Sequence, residues 1–256
     1  GKGVYICYSL EDSKKAIVEI FNGKFGKTEN LLIEEFLDGE EMSYFIISDG
    51  KNFKKFNTAQ DHKRVGEGDV GLNTGGMGAY SPSGLINSEL DTKIINKIIK
   101  PTLKAIEESG NKFKGFLYAG LMIKNNEPYL IEYNVRMGDP ECQTILPLLK
   151  SDLLEIFISC CNQNLENTKL EWFNKKSLCI VLCSKGYPGI YKKNIEILGL
   201  EKLNENNNSY IFHAGTNFKN NKFYAIGGRV LNFTSISDDF HNSRNLAIDQ
   251  IEKLGW

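Results

Sequence analysis

The chain has 256 residues, 41% hydrophobic and 25% charged, a composition typical of a folded protein with one large or two modest cores. Lysine and arginine number 31 against 32 aspartates and glutamates, so the formal net charge is −1 and gives no general affinity for nucleic acid or anionic membranes. No apolar run approaches the ~20 residues of a membrane span, so we expect neither nucleic acid nor a membrane as partner.

Cysteine and arginine are both used sparingly. The six cysteines show no Cys-x-x-Cys pairing, which predicts a reduced, cytoplasmic protein. Only four of the 31 basic residues are arginine (31 − 4 = 27 lysines), so each arginine is a candidate for a site that needs a planar, bidentate donor. Chance survival in a lysine-rich chain is the alternative. The four are Arg64, Arg136, Arg229 and Arg244.

A glycine-rich turn opens the chain and leads into an apolar run. Because such a turn normally follows another element, we expect these residues to be the carboxy-terminal part of a longer protein. Ser9 and Asp12 form a capping box, which predicts a helix that ends near Gly23. An apolar segment that becomes acidic predicts a strand over 31–36.

The next segment predicts a hairpin followed by a long loop. Apolar residues predict strands over 44–48 and 53–58, joined by the turn-forming pair Asp49-Gly50. Residues 64–85 carry seven glycines and show little periodicity. We therefore predict a long loop there, of the kind that usually serves a function.

The middle of the chain predicts one long helix and a second hairpin. A cap at Ser88 begins a helix with an apolar stripe, which Pro101 should kink or split. Strands are predicted over 116–123 and 129–134, with a turn at Asn125-Asn126 between them.

The last part of the chain predicts a domain boundary and then mostly strands. Helices are predicted over 142–150 and 152–162, and the polar, irregular stretch 162–176 is the predicted boundary. The elements predicted beyond it are strands at 177–183, 209–213, 223–226 and 229–234, a turn at 186–189 and a helix from about His241.

One predicted strand carries candidate metal and phosphate ligands. Glu132, Asn134 and Arg136 alternate along it, so they are predicted to share one face. A carboxylate and an amide oxygen suit Mg²⁺, and a guanidinium suits the charge on a transferring phosphoryl group. The solvated face of an edge strand is the alternative, but the continuation into Gly-Asp-Pro-Glu favours a site.

Two further blocks are candidates for substrate contacts. Residues 33–41 combine acids, an apolar pair and glycine, and could offer backbone groups to a flat heterocycle; in isolation an acidic surface turn is the favoured alternative. Residues 61–64 place cations beside an acid, and bare N–H groups of the glycine run over 73–78 could cradle an anion. A flexible surface loop is the alternative there.

Together these blocks resemble the ATP-grasp superfamily and, within it, the phosphoribosylamine–glycine ligase family. The matching stretches follow the family's order and cover nearly the whole chain, and NTGGMGAYSP with R-x-GDPE is highly specific. The stretches are GKGV (1–4), IEEFLDGEE (33–41), QDHKR (60–64), NTGGMGAYSP (73–82), GFLYAGLM (115–122), IEYNVRMGDPE (131–141), GYPG (186–189), HAGT (213–216) and GGRVL (227–231).

The resemblance implies an α+β fold, with an ATP-grasp core of antiparallel sheet and helices and a small β-rich carboxy-terminal domain. The family's amino-terminal domain is expected to be absent from this chain. The predicted parts are 1–33 (remainder of the lid lobe), 34–165 (core with the metal and substrate loops) and 175–256 (carboxy-terminal domain). Because the absent domain helps the family to bind phosphoribosylamine, the 256 residues alone are expected to be inactive. A monomer or weak dimer is expected.

The implied reaction joins glycine to phosphoribosylamine with ATP, through glycyl phosphate, and releases ADP and phosphate. Carried over by position, Glu132 and Asn134 bind Mg²⁺ or Mn²⁺ and Arg136 steadies the acyl phosphate. Lys63 and Arg64 are the further catalytic residues expected. The expected nucleotide-binding residues are Lys2, Gly3, Glu34, Glu35, Phe36, Leu37 and Glu41. Those expected to face glycine and phosphoribosylamine are Asp61, Asn73, Thr74, Gly75, Gly76, Met77, Gly78 and Asp139.

One departure and two alternatives qualify this expectation. Many ATP-grasp enzymes place a third acidic ligand where this chain has Gly120, so we expect a two-ligand metal site completed by phosphate oxygens and water. Another ATP-grasp carboxylate–amine ligase, for instance one acting on aminoimidazole ribonucleotide or bicarbonate, is the first alternative. A non-catalytic nucleotide-binding fragment is the second.

Overall fold

The computed structural model describes residues 3–68, 70–203 and 208–255 and divides the chain into two compact units, Gly1–Asp38 and Gly39–Trp256. In chain order the strands are β1 (Glu40–Asp49), β2 (Phe53–Lys55), β3 (Gln60–Asp61), β4 (Arg64–Gly66), β5 (Val70–Asn73), β6 (Gly78–Ser81), β7 (Lys114–Lys124), β8 (Glu127–Asn134), β9 (Lys176–Cys183), β10 (Ile195–Glu196), β11 (Ser209–His213), β12 (Thr216–Lys219), β13 (Lys222–Ala225) and β14 (Arg229–Ser237). The helices are α1 (Leu10–Phe21), α2 (Ser88–Ile94), α3 (Lys100–Glu108), α4 (Glu141–Ile145), α5 (Leu153–Cys161) and α6 (Phe240–Ile251).

The first unit contains one helix and much irregular chain. The Asp12 N–H donates to the Ser9 hydroxyl, which confirms the predicted cap of α1. The strand predicted over 31–36 is wrong, because this segment has no regular secondary structure. Leu32 and Ile33 are each 77% exposed, and no described strand pairs with the segment, so its backbone lacks the ladder that a strand requires.

The first sheet of the second unit is antiparallel, in the order β2-β1-β7-β8. Both predicted hairpins are confirmed, although the strand after Asp49-Gly50 ends at Lys55. Asn125 and Asn126 form the second turn with φ of 53° and 59°, as a tight hairpin of this type requires. The inner face packs against α2 and α3 in one apolar core, which includes Tyr44, Ile46, Leu90, Ile94 and Leu121.

The second sheet brings together strands from distant parts of the sequence, in the order β11-β14-β9-β6-β3. The single long loop predicted over 64–85 is wrong, because it contains the β4–β5 hairpin and the strand β6. β6 is short and pairs with β9, about a hundred residues further along the chain. The strand conformation of β6 therefore depends on a remote partner. Its own four residues show no hydrophobic periodicity from which a strand could be predicted.

The helices differ from prediction mainly at their ends. The cap of α2 is Asn87, whose side chain accepts from the Leu90 N–H, so the cap predicted at Ser88 is wrong by one residue. A π-helical turn (Ile95–Ile99) separates α2 from α3, and Pro101 lies in the first turn of α3, as a split helix predicts. α4 is shorter than predicted and continues as a 3₁₀ turn (Leu146–Leu148).

The remaining features are the cysteines, the length of the helices and a third sheet. All six cysteines are free. No helix in the described part of the chain is both long and apolar enough to cross a bilayer. β10, β13 and β12 form a small third sheet.

Candidate functional site

The predicted metal ligands are neighbours at the end of β8. Asn134 Nδ2 donates to Glu132 Oε1 over 3.3 Å, so the two side chains share one face of the strand as predicted. Gly120 lies opposite Glu132 in β7, and a Cβ there would be 3.3 Å from Glu132 Cγ. The glycine thus leaves space beside a carboxylate and an amide oxygen, which are hard donors that suit Mg²⁺.

The strand carries only two of the three side chains predicted to alternate along it. β8 ends at Asn134, and the chain bends at the next two residues. Arg136 therefore lies outside the strand, and its Nη1 donates to the Met137 carbonyl over 2.9 Å. The prediction that all three groups line one face of a single strand is wrong for Arg136, because the ladder that fixes alternation stops before it.

A lysine among carboxylates lies near this pair. Lys63 Nζ forms an ion pair with Glu41, and Asp61 and Glu132 also attract its charge. Burial would lower the pKa of Lys63, but the carboxylates of Asp61 and Glu41 outweigh it and raise the pKa above its ordinary value. The amine therefore stays cationic and can attract phosphate or carboxylate groups of a substrate.

Asp61 shares this cluster but titrates differently. Burial raises its pKa to about 7, against the opposing effect of Lys63, and the Glu141 and Glu41 carboxylates add to the rise. A carboxylate with a pKa near neutrality can both attract an amine and accept a proton from it. Asp61 can therefore take up or release a proton near neutral pH.

Glu141, at the start of α4, is a buried carboxylate that the sequence-based site left out. It is 3% exposed, and its Oε1 accepts from the Tyr118 hydroxyl at 2.9 Å and the Ser43 hydroxyl at 3.2 Å. Burial, followed by the Glu141 charge, raises the pKa of Tyr118, so this hydroxyl remains a donor. A Cβ at Gly138 would lie 2.2 Å from Glu141 Oε2, so the glycine of the Gly-Asp-Pro-Glu segment makes room for its glutamate.

The glycine-rich loop over 73–78 does not present bare N–H groups, which corrects the anion cradle expected from its sequence. The Thr74 N–H donates to the Lys63 carbonyl, and the Met77 N–H to the His62 carbonyl. The Gly75 N–H donates to the Tyr187 hydroxyl at 3.0 Å, and the Gly76 N–H to the Thr74 hydroxyl at 3.0 Å.

Close packing explains the glycines of this loop instead. Gly76 has a φ of +110°, and a Cβ there would lie 2.6 Å from Pro140 Cδ. A Cβ at Gly78, the first residue of β6, would lie 2.6 Å from the Cys179 carbonyl oxygen. Asn73 ends β5, where it pairs with Arg64.

Arg64 lines a cavity that Lys63 does not line. Together with His62 and Arg244 it borders a cavity of about 580 Å³, whose floor includes Tyr80 and Ile180. Arg64 Nη1 also donates to the Gly71 carbonyl at 3.2 Å. Asp139 forms an ion pair with Arg229.

The predicted nucleotide-binding residues lie mostly in the first unit. Residues 34–37 have no regular secondary structure, and the Phe36 ring contacts that of Tyr8. Gly3 is an exposed turn residue, and Lys2 lies outside the described residues. Glu41 belongs to the second unit, where its carboxylate forms an ion pair with Lys63.

Sequence reasoning missed two contributors besides Glu141, and it named a third, Arg229, only as a candidate bidentate donor. Tyr118 and Ser43 hold Glu141, and Arg229 joins two of the loops. Glu141 and Arg229 both stand in stretches that carry the family resemblance, which was the available signal. No group of three or more His, Cys, Asp and Glu side chains within the described ranges could hold a metal ion, so a metal here would use Glu132, Asn134 and non-protein ligands.

Comparisons with known proteins show which family the chain is similar to. Residues 1–142 match the phosphoribosylglycinamide synthetase ATP-grasp (A) domain, and residues 177–256 match the C domain of the same synthetase. A phosphoribosylamine–glycine ligase of Pasteurella multocida is 44% identical over 259 residues, covering 100% of this chain and 60% of the relative. One from Vigna unguiculata is 44% identical and is covered to 84%.

A solved structure extends the likeness to the fold. The crystal structure of phosphoribosylamine–glycine ligase from Thermotoga maritima matches with a TM-score of 0.84 and 34% identity, covering 100% of this chain and 63% of that one. The chain thus spans about 60% of the length of most curated relatives that it matches. The α+β ATP-grasp fold expected from the sequence is confirmed, and the chain belongs to the phosphoribosylglycinamide synthetase family.

Proposed function

We propose that the protein containing this chain uses ATP to join glycine to 5-phosphoribosylamine, a step of purine biosynthesis that gives glycinamide ribonucleotide, ADP and phosphate. The observation that carries the proposal is the Glu132–Asn134 pair beside the Lys63 cluster, in a chain of this family. We further propose three functional parts, 1–33, 34–165 and 175–256, with the remaining family domain as partner.

The reaction consists of two displacements. A carboxylate oxygen of glycine bonds to the γ-phosphorus of ATP as the bond to ADP breaks, giving glycyl phosphate. The amine of phosphoribosylamine then bonds to the glycyl carbonyl carbon, phosphate leaves, and the amine gives up a proton. No side-chain nucleophile is needed, so the protein acts by placement and electrostatic stabilisation.

Different residues of the chain serve metal binding, charge stabilisation and proton transfer. Glu132 and Asn134 would hold Mg²⁺ or Mn²⁺, which when bound neutralises phosphate charge. Lys63 attracts the anionic groups of the reactants, and Arg136 steadies the acyl phosphate. Asp61, with a pKa of about 7, accepts the proton that the attacking amine releases.

The other assignments extend this proposal. The residues proposed to bind the nucleotide are Lys2, Gly3, those over 34–37, and Glu41. Arg64 and the loop over 73–78 contact the glycine and phosphoribosylamine side.

The test uses the full-length protein that contains this chain. Phosphate release should require ATP, glycine and phosphoribosylamine together. Release with bicarbonate in place of glycine would identify a different ATP-grasp ligase, and nucleotide binding without turnover would identify a non-catalytic module.

A matched pair of variants tests the metal site. Glu132→Ala should abolish turnover and weaken binding of ADP with Mg²⁺ while the circular dichroism spectrum stays unchanged. Glu127→Ala, on the same strand, removes only surface ion pairs with Lys93 and Lys97, and should leave both unchanged. Full turnover in Glu132→Ala would show that Glu132 does not hold a metal needed for the reaction.

A further inference from the structure

Arg229, the first residue of β14, reaches two loops that are distant in sequence. Its Nη1 donates to the Gly75 carbonyl and to the Asp139 carbonyl, each at 2.8 Å. Its Nη2 donates to Asp139 Oδ2 at 3.1 Å, and the side chain is only 22% exposed. One guanidinium therefore connects the glycine-rich loop, the Gly-Asp-Pro-Glu segment and the carboxy-terminal strand.

Each oxygen of the Asp139 carboxylate accepts a hydrogen bond from another side chain. While Oδ2 accepts from Arg229, Oδ1 accepts from Gln143 Nε2 at 2.9 Å. A carboxylate with both oxygens bonded in this way is held in place to orient its partners. The Asp139 side chain is 48% exposed, so its remaining lone pairs could accept a further bond from a substrate while both of these contacts are kept.

The glycine-rich loop packs closely against Arg229. A Cβ at Gly75 would lie 3.1 Å from Arg229 Cζ, and Gly76 lies against Pro140. On its other side, Gly75 donates its N–H to Tyr187. The planar guanidinium of Arg229 has several donors in fixed positions, so it can bond two carbonyls and a carboxylate at once. A lysine ammonium cannot reproduce this geometry.

We propose that Arg229 is a positioning residue: by bonding the carbonyls of Gly75 and Asp139 and the Asp139 carboxylate, it fixes the glycine-rich loop against the segment that follows the metal-binding strand. The contacts of Arg229 that support this role are all with other residues of the protein. The proposal rests on the proposed function for its kinetic consequence, but its structural part stands independently of that function.

The first test is amide hydrogen exchange of residues 73–78 in the full-length protein. Arg229→Lys should speed exchange there by about tenfold or more, the change that ~1.4 kcal/mol produces, and leave β1 and β7 unaffected. The control is Arg244→Lys, since Arg244 has no hydrogen-bond or ion-pair partner among the described side chains. Unchanged exchange in Arg229→Lys would overturn the proposal.

The second variant, Asp139→Asn, keeps the backbone carbonyl contacts of Arg229 and removes its ion pair, while the one remaining side-chain oxygen can still accept from Gln143. It should speed the same exchange by a smaller factor, and it decides the question if Arg229→Lys fails to fold; no change in Asp139→Asn would then overturn the proposal. The double variant should change exchange no more than Arg229→Lys alone, because both substitutions remove one shared interaction. Additive effects would contradict the shared role.

The kinetic readout separates positioning from general stability. In Arg229→Lys, kcat should fall at least tenfold or the KM for glycine rise, while the Kd for ADP with Mg²⁺ stays unchanged, because Glu132 and Asn134 are not altered. Unchanged kinetics with a lowered Tm would show a purely structural role and overturn the proposal. If the unmodified protein shows no glycine-dependent phosphate release, the proposed function fails, while the exchange result still decides whether Arg229 holds the loop.

Discussion

Gly138→Ala tests whether the Gly-Asp-Pro-Glu segment is built around its buried glutamate. The added Cβ would lie 2.2 Å from Glu141 Oε2, whereas ordinary contact begins near 3.4 Å, so the carboxylate must move by about 1.2 Å. Such a movement breaks its bonds to Tyr118 and Ser43, which are 2.9 and 3.2 Å long. Bonds to a charged group contribute about 1.5–3 kcal/mol each. We therefore expect a loss of about 3–6 kcal/mol in the free energy of unfolding.

Urea unfolding followed by the fluorescence of Trp172, which packs beside Phe56, measures this loss. Gly84→Ala is the matched control, since nothing lies within 4 Å of its added Cβ, and its unfolding free energy should change by less than ~1 kcal/mol. In a Glu141→Ala background, Gly138→Ala should cost little because the obstacle is gone. A stable Gly138→Ala protein, or an equal cost in both backgrounds, would refute the reasoning.

Two further predictions concern the same cluster. Because the folded-state pKa of Asp61 is about 7 against an ordinary 3.8, the folded protein retains a proton that the unfolded chain releases, so its unfolding free energy should fall as pH rises from 3.8 to about 7. Asp61→Asn should flatten this pH profile, and an unchanged slope would contradict the assignment. Tyr118→Phe should lower the unfolding free energy by about 1.5–3 kcal/mol because Glu141 loses a donor, as measured by urea titration. Tyr44→Phe should cost less than Tyr118→Phe, because its partner Asp91 is 21% exposed and keeps the Lys55 ammonium, whereas Glu141 is 3% exposed; equal losses would argue against special burial of Glu141.

Features fixed by neighbouring residues could be predicted from the sequence. The cap at Ser9 and the turns at 49–50 and 125–126 involve groups only a few residues apart, so the local sequence alone predicts them. The pairing of Glu132 with Asn134 follows from strand alternation over a single step. Alternation failed at Arg136 because the strand ends before it, and nothing in the residue types marks that end.

Features fixed by remote residues could not be predicted. β6 is a strand because it pairs with β9, and the N–H groups of the glycine-rich loop are occupied by partners such as the Tyr187 hydroxyl. Arg229 is 154 positions from Gly75 in sequence, so its contact with that loop depends on the complete fold. The arginine count singled it out as a candidate for bidentate bonding, but could not name the acceptors.

The sheet shared by β6 and β9 also determines how the chain could be divided. A protease cut in the irregular stretch 168–175 would sever the covalent connection between the two family segments, yet β3 and β6 would remain backbone-bonded to β9 and its neighbours. The nicked protein should migrate as a single particle under native conditions. Two separately synthesised halves divided there should complement each other on mixing, whereas the carboxy-terminal half alone would expose an unpaired edge of β9 and should aggregate.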